Sequence, residues 1–176
     1  MTSKKSLSMM AASGALAFSA LFGAASAQPA AAAHAETKEP AMQIVKKMDA
    51  DAIRKNVAMY AASLKGKPYK YGGQSLKGFD ASGYISYVYT HANPSKMKVE
   101  RTIAKQYKQG MTVKSMKDLM PGDVVFFSFN GKAPTFAGIY TGKNMFYAVT
   151  SKGVTMEKLN TKYWSKAYTG AKRWIK

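Results

Sequence analysis

The sequence pattern changes from one typical of helices to one typical of strands at PGDVVFF, residues 121–127. The Pro-Gly-Asp triplet has the composition of a tight turn, and the apolar run after it predicts a buried strand over 124–129. Before this stretch apolar residues recur at helical spacing, whereas after it short apolar runs alternate with turn residues. Helices followed by strands predict an α+β domain in which N-terminal helices pack on an antiparallel β-sheet.

Downstream of this stretch the pattern predicts a series of short strands. Gly-Lys-Asn at 142–144 is typical of a hairpin turn, and it lies between apolar runs at 137–141 and 145–149. Two further strands are predicted at 154–159 and 168–175. Strands joined by short turns favour antiparallel pairing.

Upstream of it the pattern predicts three helices. The first begins at Asp49 or Asp51, since either can act as an N-cap, and it ends before a Gly-x-Pro sequence. The second is capped by Asp80 and ends near the Asn-Pro pair at 93–94. The third is short, over 102–108, and stops before a glycine.

The N-terminal segment 1–27 has the features of a secretory signal peptide. Two lysines precede an apolar stretch that ends in small residues, and A-x-A motifs at 25–27 and 33–35 offer cleavage as late as residue 35. The apolar run approaches the ~20 residues that span a bilayer. Its many Ala, Ser and Gly residues make it weakly hydrophobic, which favours cleavage over a retained anchor.

The rest of the chain is predicted to form a flexible lead-in over 28–48 and one domain over 49–176. About 140 residues remain after cleavage, enough for one domain with its own core. The sequence therefore predicts a secreted protein, extracellular or cell-wall associated, without stable insertion in the membrane.

Charge and cysteine content restrict the classes of partner and chemistry. The net charge is +18, and the signal segment carries two of those charges, which leaves +16 after cleavage. Such a charge favours anionic partners, but the lysines are scattered singly, which disfavours nucleic acid and leaves a solvated basic surface as the alternative. The chain has no cysteine. This excludes thiolate metal sites and thiol redox chemistry, and we predict no cofactor and no metal.

Several short motifs occur in a recognisable order. They are GKPYKYGG at 66–73, GFDASG at 78–83, QY at 106–107, LMPGDVVFF at 119–127 and GIYTG at 138–142. Together they resemble the NlpC/P60 family of cell-wall peptidases, which have a papain-like fold. The resemblance covers roughly residues 57–175, and it implies the same fold for this chain.

The resemblance also identifies positions where the chain departs from the family. The family motif is Phe-Asp-Cys-Ser-Gly, and its cysteine corresponds to Ala81. The family's general base, two residues before Gly-Ile-Tyr, corresponds to Phe136, and the third polar residue corresponds to Tyr147. Neither His34 in the leader nor His91, ten residues after Ala81 on the same helix, can serve as a base at the helix start. These departures predict that the chain is not an enzyme.

Recognition residues of the family are retained. The resemblance implies that Tyr69, Asp80 and Ser82 line the subsites for the wall peptide, and that Arg101 lies beside them. Tyr69 as a turn aromatic and Asp80 as a simple N-cap are the structural alternatives.

The predicted function is accordingly that of a secreted, catalytically inactive NlpC/P60-like protein. It would bind the stem peptide of peptidoglycan, an anionic wall polymer or a protein partner. Two alternatives stay open. One is an active cell-wall peptidase with atypical catalytic residues, and the other is a basic extracellular structural protein that acts through its surface alone.

Overall fold

The strand predicted from PGDVVFF lies in the interior of a six-stranded sheet. The computed structural model describes residues 38–94 and 97–176, with the backbone alone over 38–48. The predicted signal peptide and the lead-in up to residue 37 lie outside the described residues. The elements follow in chain order as α1 (Lys38–Ser63), β1 (Gln74–Ser75), β2 (Gly78–Phe79), α2 (Ala81–Ala92), α3 (Ile103–Gln106), β3 (Met111–Val113), β4 (Val124–Phe127), β5 (Phe136–Gly142), β6 (Met145–Thr150), β7 (Gly153–Lys158), α4 (Lys162–Ala167) and β8 (Tyr168–Arg173).

The main sheet is antiparallel throughout and has the strand order β3-β8-β4-β5-β6-β7. Helices α1 and α2 pack on one face and α4 packs on the other, so the predicted α+β class with helices on an antiparallel sheet is confirmed. The hairpin turn predicted between β5 and β6 is also present. Lys143 and Asn144 adopt positive φ of 52° and 59°, which match the right-handed twist of the two strands.

Successive residues of β4 point to opposite faces of the sheet and contribute to two cores. Val124 and Phe126 belong to a first cluster together with the buried side chains of α1 and α2. Val125 and Phe127 belong to a second cluster on the opposite face, which α4 covers with Trp164. The run is apolar without alternation because both faces of this strand are buried.

Helix α1 begins earlier than the sequence pattern predicted. It starts at Lys38 instead of Asp49, so it includes part of the predicted lead-in. Apolar residues at positions 41, 44, 45 and 48 recur at helical spacing, and most residues of 38–48 favour helix, so the sequence contained a signal that the prediction overlooked. Pro40 falls in the first turn, where an amide has no helical partner to lose.

Helix α2 begins and ends where the sequence predicts. Asp80 is its N-cap, with an extended backbone and a side chain that accepts a hydrogen bond from the Gly83 amide at 2.6 Å. The C-cap is Asn93. Gly83 is needed for packing, because a Cβ there would overlap the carbonyl oxygen of Gly73 in the preceding turn.

The shortest elements differ most from the sequence predictions. The third helix spans four residues, Ile103–Gln106, with Thr102 as its N-cap. The pair β1–β2, strand β3 and helix α4 were not predicted, because each is too short to show a period. Within the two described ranges, no helix combines the length and apolar character needed to cross a membrane.

Candidate functional site

A cleft of about 520 Å³ opens at the N-terminus of α2. Five parts of the chain meet there: the Tyr-rich turn before β1, the first residues of α2, the first residue of α3, the start of β5 and the turn between β6 and β7. The lining residues are Tyr69, Tyr71, Ile103 and the segments 80–82, 135–136 and 149–151. Its volume is within the range of small-molecule and peptide sites.

Three of the four predicted ligand residues line this cleft. Tyr69, Asp80 and Ser82 are separated by up to 13 positions in the chain, yet all three contribute to its wall. The fourth, Arg101, is held against two of them by direct hydrogen bonds. The fold therefore brings the predicted set together, while ligand binding by these residues stays a prediction.

Asp80, Ser82 and Arg101 form a connected polar group. The Arg101 guanidinium donates to Asp80 Oδ2 at 2.6 Å and Oδ1 at 3.1 Å, and to Ser82 Oγ at 2.7 Å. The Ser82 hydroxyl in turn donates to Asp80 Oδ1 at 3.1 Å. From the sequence, Asp80 was predicted to line the peptide subsites or to act only as an N-cap. In the structure its carboxylate is already paired, so a ligand amine would share it with Arg101.

These contacts determine the titration of Asp80. Burial acts to raise the pKa of its carboxyl group, but the hydrogen bonds from Arg101, the Gly83 amide and Ser82 outweigh burial, and the pKa lies below its ordinary value. Hydrogen bonding to Asp80 raises the pKa of Arg101. The side chain of Arg101 is 39% exposed, so solvent screens much of this attraction.

We expect Asp80→Asn to lower the free energy of unfolding by about 1 kcal/mol or less at neutral pH. A depressed carboxyl pKa stabilises the fold above the unfolded-state value of about 3.9, and this stabilisation is lost as the pH falls through the folded-state pKa. The difference between parent and variant should therefore shrink as the pH falls below the unfolded-state pKa of about 3.9. Urea unfolding at several pH values measures it, with exposed Asp49→Asn as the control. If the stability difference between parent and Asp80→Asn did not change with pH, the ionised Asp80 carboxylate would not be its source.

Ala81 lies at the first position of α2 and contributes a methyl group to the cleft. The helix N-terminus provides unpaired amides there, but the methyl group has nothing to ionise. The carboxylate and hydroxyl nearest to it are those of the adjacent Asp80 and Ser82, which lie on the same wall.

The other two positions at which the chain differs from the family pattern, 136 and 147, lie in different surroundings. Phe136, at the start of β5, lines the cleft, and its ring also stacks on Trp164 with 5.4 Å between centroids. Tyr147, on β6, is not among the described residues that line the cleft, and it packs half-buried against the first cluster. His91 lies in the last turn of α2, away from the cleft at the other end of the helix, as predicted.

Sequence reasoning missed several residues of the cleft. Tyr71 is 89% exposed and lies within the motif at 66–73, so an aromatic side chain in a glycine-rich turn was the available signal. Thr135, Thr150 and Ser151 add hydroxyl groups from the sheet side. No sequence signal identified them, because the topology alone brings these turns to the helix. Among residues 38–94 and 97–176, no group of three or more His, Asp or Glu side chains could hold a metal ion.

Comparisons with known proteins find relatives with named activities. The chain is 42% identical to the probable peptidoglycan endopeptidase LytE of Bacillus subtilis over 64% of its length, and 37% identical to a gamma-DL-glutamyl hydrolase of the same organism over 76%. It spans about a third of each of these relatives (32% and 33%). A crystal structure of a NlpC/P60 family protein from Bacillus cereus has the same fold, with a TM-score of 0.63 at 24% identity, covering 70% of this chain and 40% of that one.

These names correct one prediction. The expectation that the chain is not an enzyme is wrong, because relatives at 32–42% identity are named endopeptidases and hydrolases, which points to an enzyme. The loss of the family's thiol and imidazole had been taken to mean the loss of all activity. A missing thiol and imidazole exclude one route of amide hydrolysis, and they do not exclude hydrolysis by other groups.

The family assignment rests on sequence and fold together. The sequence profile described as the NlpC/P60 family matches residues 66–173, which is more than half of the chain. The match extends from the turn that precedes the cleft to the last strand of the sheet. The chain belongs to the NlpC/P60 family.

Proposed function

We propose that this chain is exported and that its cleft binds the peptide part of bacterial cell-wall peptidoglycan. The observation that carries the proposal is the convergence of Tyr69, Asp80 and Ser82 on one open cleft. The relative LytE is named a probable peptidoglycan endopeptidase, which supports peptidoglycan as the class of ligand. Export is an expectation from the sequence of residues 1–27.

The chemistry of the cleft suits a short polar peptide. Hydroxyl groups on the helix side and the sheet side can exchange hydrogen bonds with peptide amides and carbonyls. Phe136, Ile103 and Val149 supply an apolar wall, and the exposed rings of Tyr69 and Tyr71 stand at the entrance turn. Arg101 adds a cation next to the cleft, where it can attract a peptide carboxylate.

Hydrolysis, to which the names of the relatives point, has to proceed here without a thiolate, because the sequence contains no cysteine. The cleft offers the Ser82 hydroxyl and the Asp80 carboxylate, which are 3.1 Å apart. The depressed pKa of Asp80 makes its carboxylate a weak base at neutral pH.

We therefore expect peptide release from purified peptidoglycan to be unaffected by iodoacetamide, a reagent that alkylates thiols. Released peptides are measured by chromatography with and without the reagent, and a cysteine-dependent relative serves as the positive control. Inhibition of the release by iodoacetamide would contradict this expectation, since the chain has no thiol to modify.

Co-sedimentation with peptidoglycan sacculi tests the proposal against the basic-surface alternative. With a net charge of +18, part of the binding should be Coulombic. That part weakens as the screening length falls from ~10 Å at 0.1 M to ~3 Å at 1 M salt. We expect a salt-resistant fraction, because contacts inside the cleft are shielded from ions. Complete loss of sedimentation at high salt would favour the alternative that the protein binds through its basic surface alone.

A further inference from the structure

A second exposed site lies on the other face of the sheet, between the loop after β4 and helix α4. Phe129 and Tyr163 are 50% and 63% exposed, and their ring centroids are 5.4 Å apart. The Ser128 amide donates to the Ala167 carbonyl at 2.8 Å, which fixes the loop to the helix. Two large aromatic rings are thus presented to solvent side by side.

The base of this site is rigid. Trp164 lies beneath the two rings at 7% exposure, with centroid distances of 4.9 Å to Tyr163 and 6.0 Å to Phe129. Its indole N–H donates to Glu157 Oε2 at 3.0 Å, and its ring contacts Phe127 at 4.9 Å. A fixed aromatic base costs little conformational entropy when a ligand binds, which favours binding.

The surroundings of the two rings form a shallow basin of about 440 Å³, within the range of small-molecule sites. Ser128 and Lys166 add a hydroxyl and an ammonium group to its lining, and the described lining residues include no acid. The basin therefore combines flat aromatic faces with polar groups at the edge.

An aromatic side chain of the cleft contacts an aromatic ring of this basin. Phe136 lines the cleft, and its ring centroid lies 6.3 Å from that of Phe129 and 5.4 Å from that of Trp164. We call Phe129, Phe136, Tyr163 and Trp164 the aromatic platform. A ligand with two joined parts could lie in the cleft and on the platform at once.

We infer that the aromatic platform binds the saccharide strand to which the wall peptide is attached. The inference rests on the proposed function, since peptidoglycan joins peptide stems to chains of N-acetylated sugars. A sugar ring presents a face of C–H groups, polarised by neighbouring oxygens, that is attracted to the negative face of an aromatic ring. Its hydroxyl and acetamido groups can bond to the polar edge of the basin. An aromatic platform with a polar edge matches this ligand.

An NMR titration with a neutral N-acetylglucosamine tetramer tests the inference without the confounding effect of charge. The chain has two tryptophans, so two indole N–H signals report on separate places. Trp164 lies in the platform, whereas Trp174 belongs to the first cluster and donates to the Gln109 carbonyl. We expect the Trp164 signal to shift in a saturable manner and the Trp174 signal to stay in place.

Variants assign the response to the platform. Tyr163→Ala and Phe129→Ala should each weaken saccharide binding about fivefold, the range of one aromatic contact. Met59→Ala, at a residue of α1 that is 65% exposed, is the matched control and should bind as the parent does. Equal affinity in the parent and both platform variants would overturn the assignment.

A parallel titration with a soluble stem peptide separates the two proposals. Peptide binding without any response to the tetramer overturns the saccharide inference and leaves the peptide cleft intact. A response to the tetramer without peptide binding supports the platform and overturns the cleft. No response to either ligand overturns both.

Discussion

Asp123→Ala is expected to lower the free energy of unfolding by about 3–5 kcal/mol, the cost of leaving a largely buried charge without its partner. Asp123 is fully buried and lies immediately before β4. Its carboxylate accepts hydrogen bonds from Arg173 Nε and Nη2, both at 2.8 Å, and from the Met120 amide at 2.8 Å. The variant would leave the guanidinium of Arg173, whose side chain is 18% exposed, inside the fold without a carboxylate.

Chemical unfolding in urea measures this change. Asp49→Ala is the matched control, because Asp49 is an exposed aspartate on α1, away from the ion pair. Its removal should alter the free energy of unfolding by about 0.5 kcal/mol or less, as is usual at surface positions. A loss in Asp123→Ala that is no larger than in the control would show that the ion pair does not stabilise the fold.

The Pro-Gly-Asp stretch also shows what the sequence could and could not predict. Composition identified the turn and the buried strand after it, because turn geometry and strand periodicity are local properties. The pairing of Asp123 with Arg173 joins positions 50 residues apart. Nothing in local composition marks such a contact, since strand order decides it. Strand β3 and helix α4 were missed for a different reason, since each is too short to show a period.

For the cleft, too, part of the structure was predicted from the sequence and part was not. Tyr69, Asp80 and Ser82 were predicted as one set from the resemblance, and the fold does bring them to one wall. The bidentate pairing of Asp80 with Arg101, which leaves the carboxylate occupied, could not be read from the sequence. The prediction that the chain is not an enzyme was wrong, because the identities of residues 81, 136 and 147 were extended to the function of the whole cleft.

Filling the cleft should have the largest effect on ligand binding. Ala81→Leu adds three carbons at the first position of α2, where the side chain faces the cleft. Overlap with a bound peptide is expected to weaken its binding at least tenfold, since forcing extra methylenes into an occupied space costs about 1–3 kcal/mol. Leucine is a good helix former, so α2 should stay folded.

Ala62→Leu is the matched control for this variant. Ala62 is a partly exposed residue of α1 that does not line the cleft. The Ala62→Leu variant should bind peptide as the parent does. Circular dichroism should show the same helix content in the parent and in both variants. Equal weakening in both variants would mean that the effect arises from general perturbation of the fold.

Calorimetric titration with a soluble stem peptide at high salt measures whether the cleft binds the peptide of peptidoglycan. At about 1 M sodium chloride the screening length is ~3 Å, so attraction between exposed charges contributes little. We expect saturable binding at one site in the parent and in Ala62→Leu, and at least tenfold weaker binding in Ala81→Leu. Absence of saturable binding in the parent, or equal affinity in Ala81→Leu, would contradict peptide binding in the cleft.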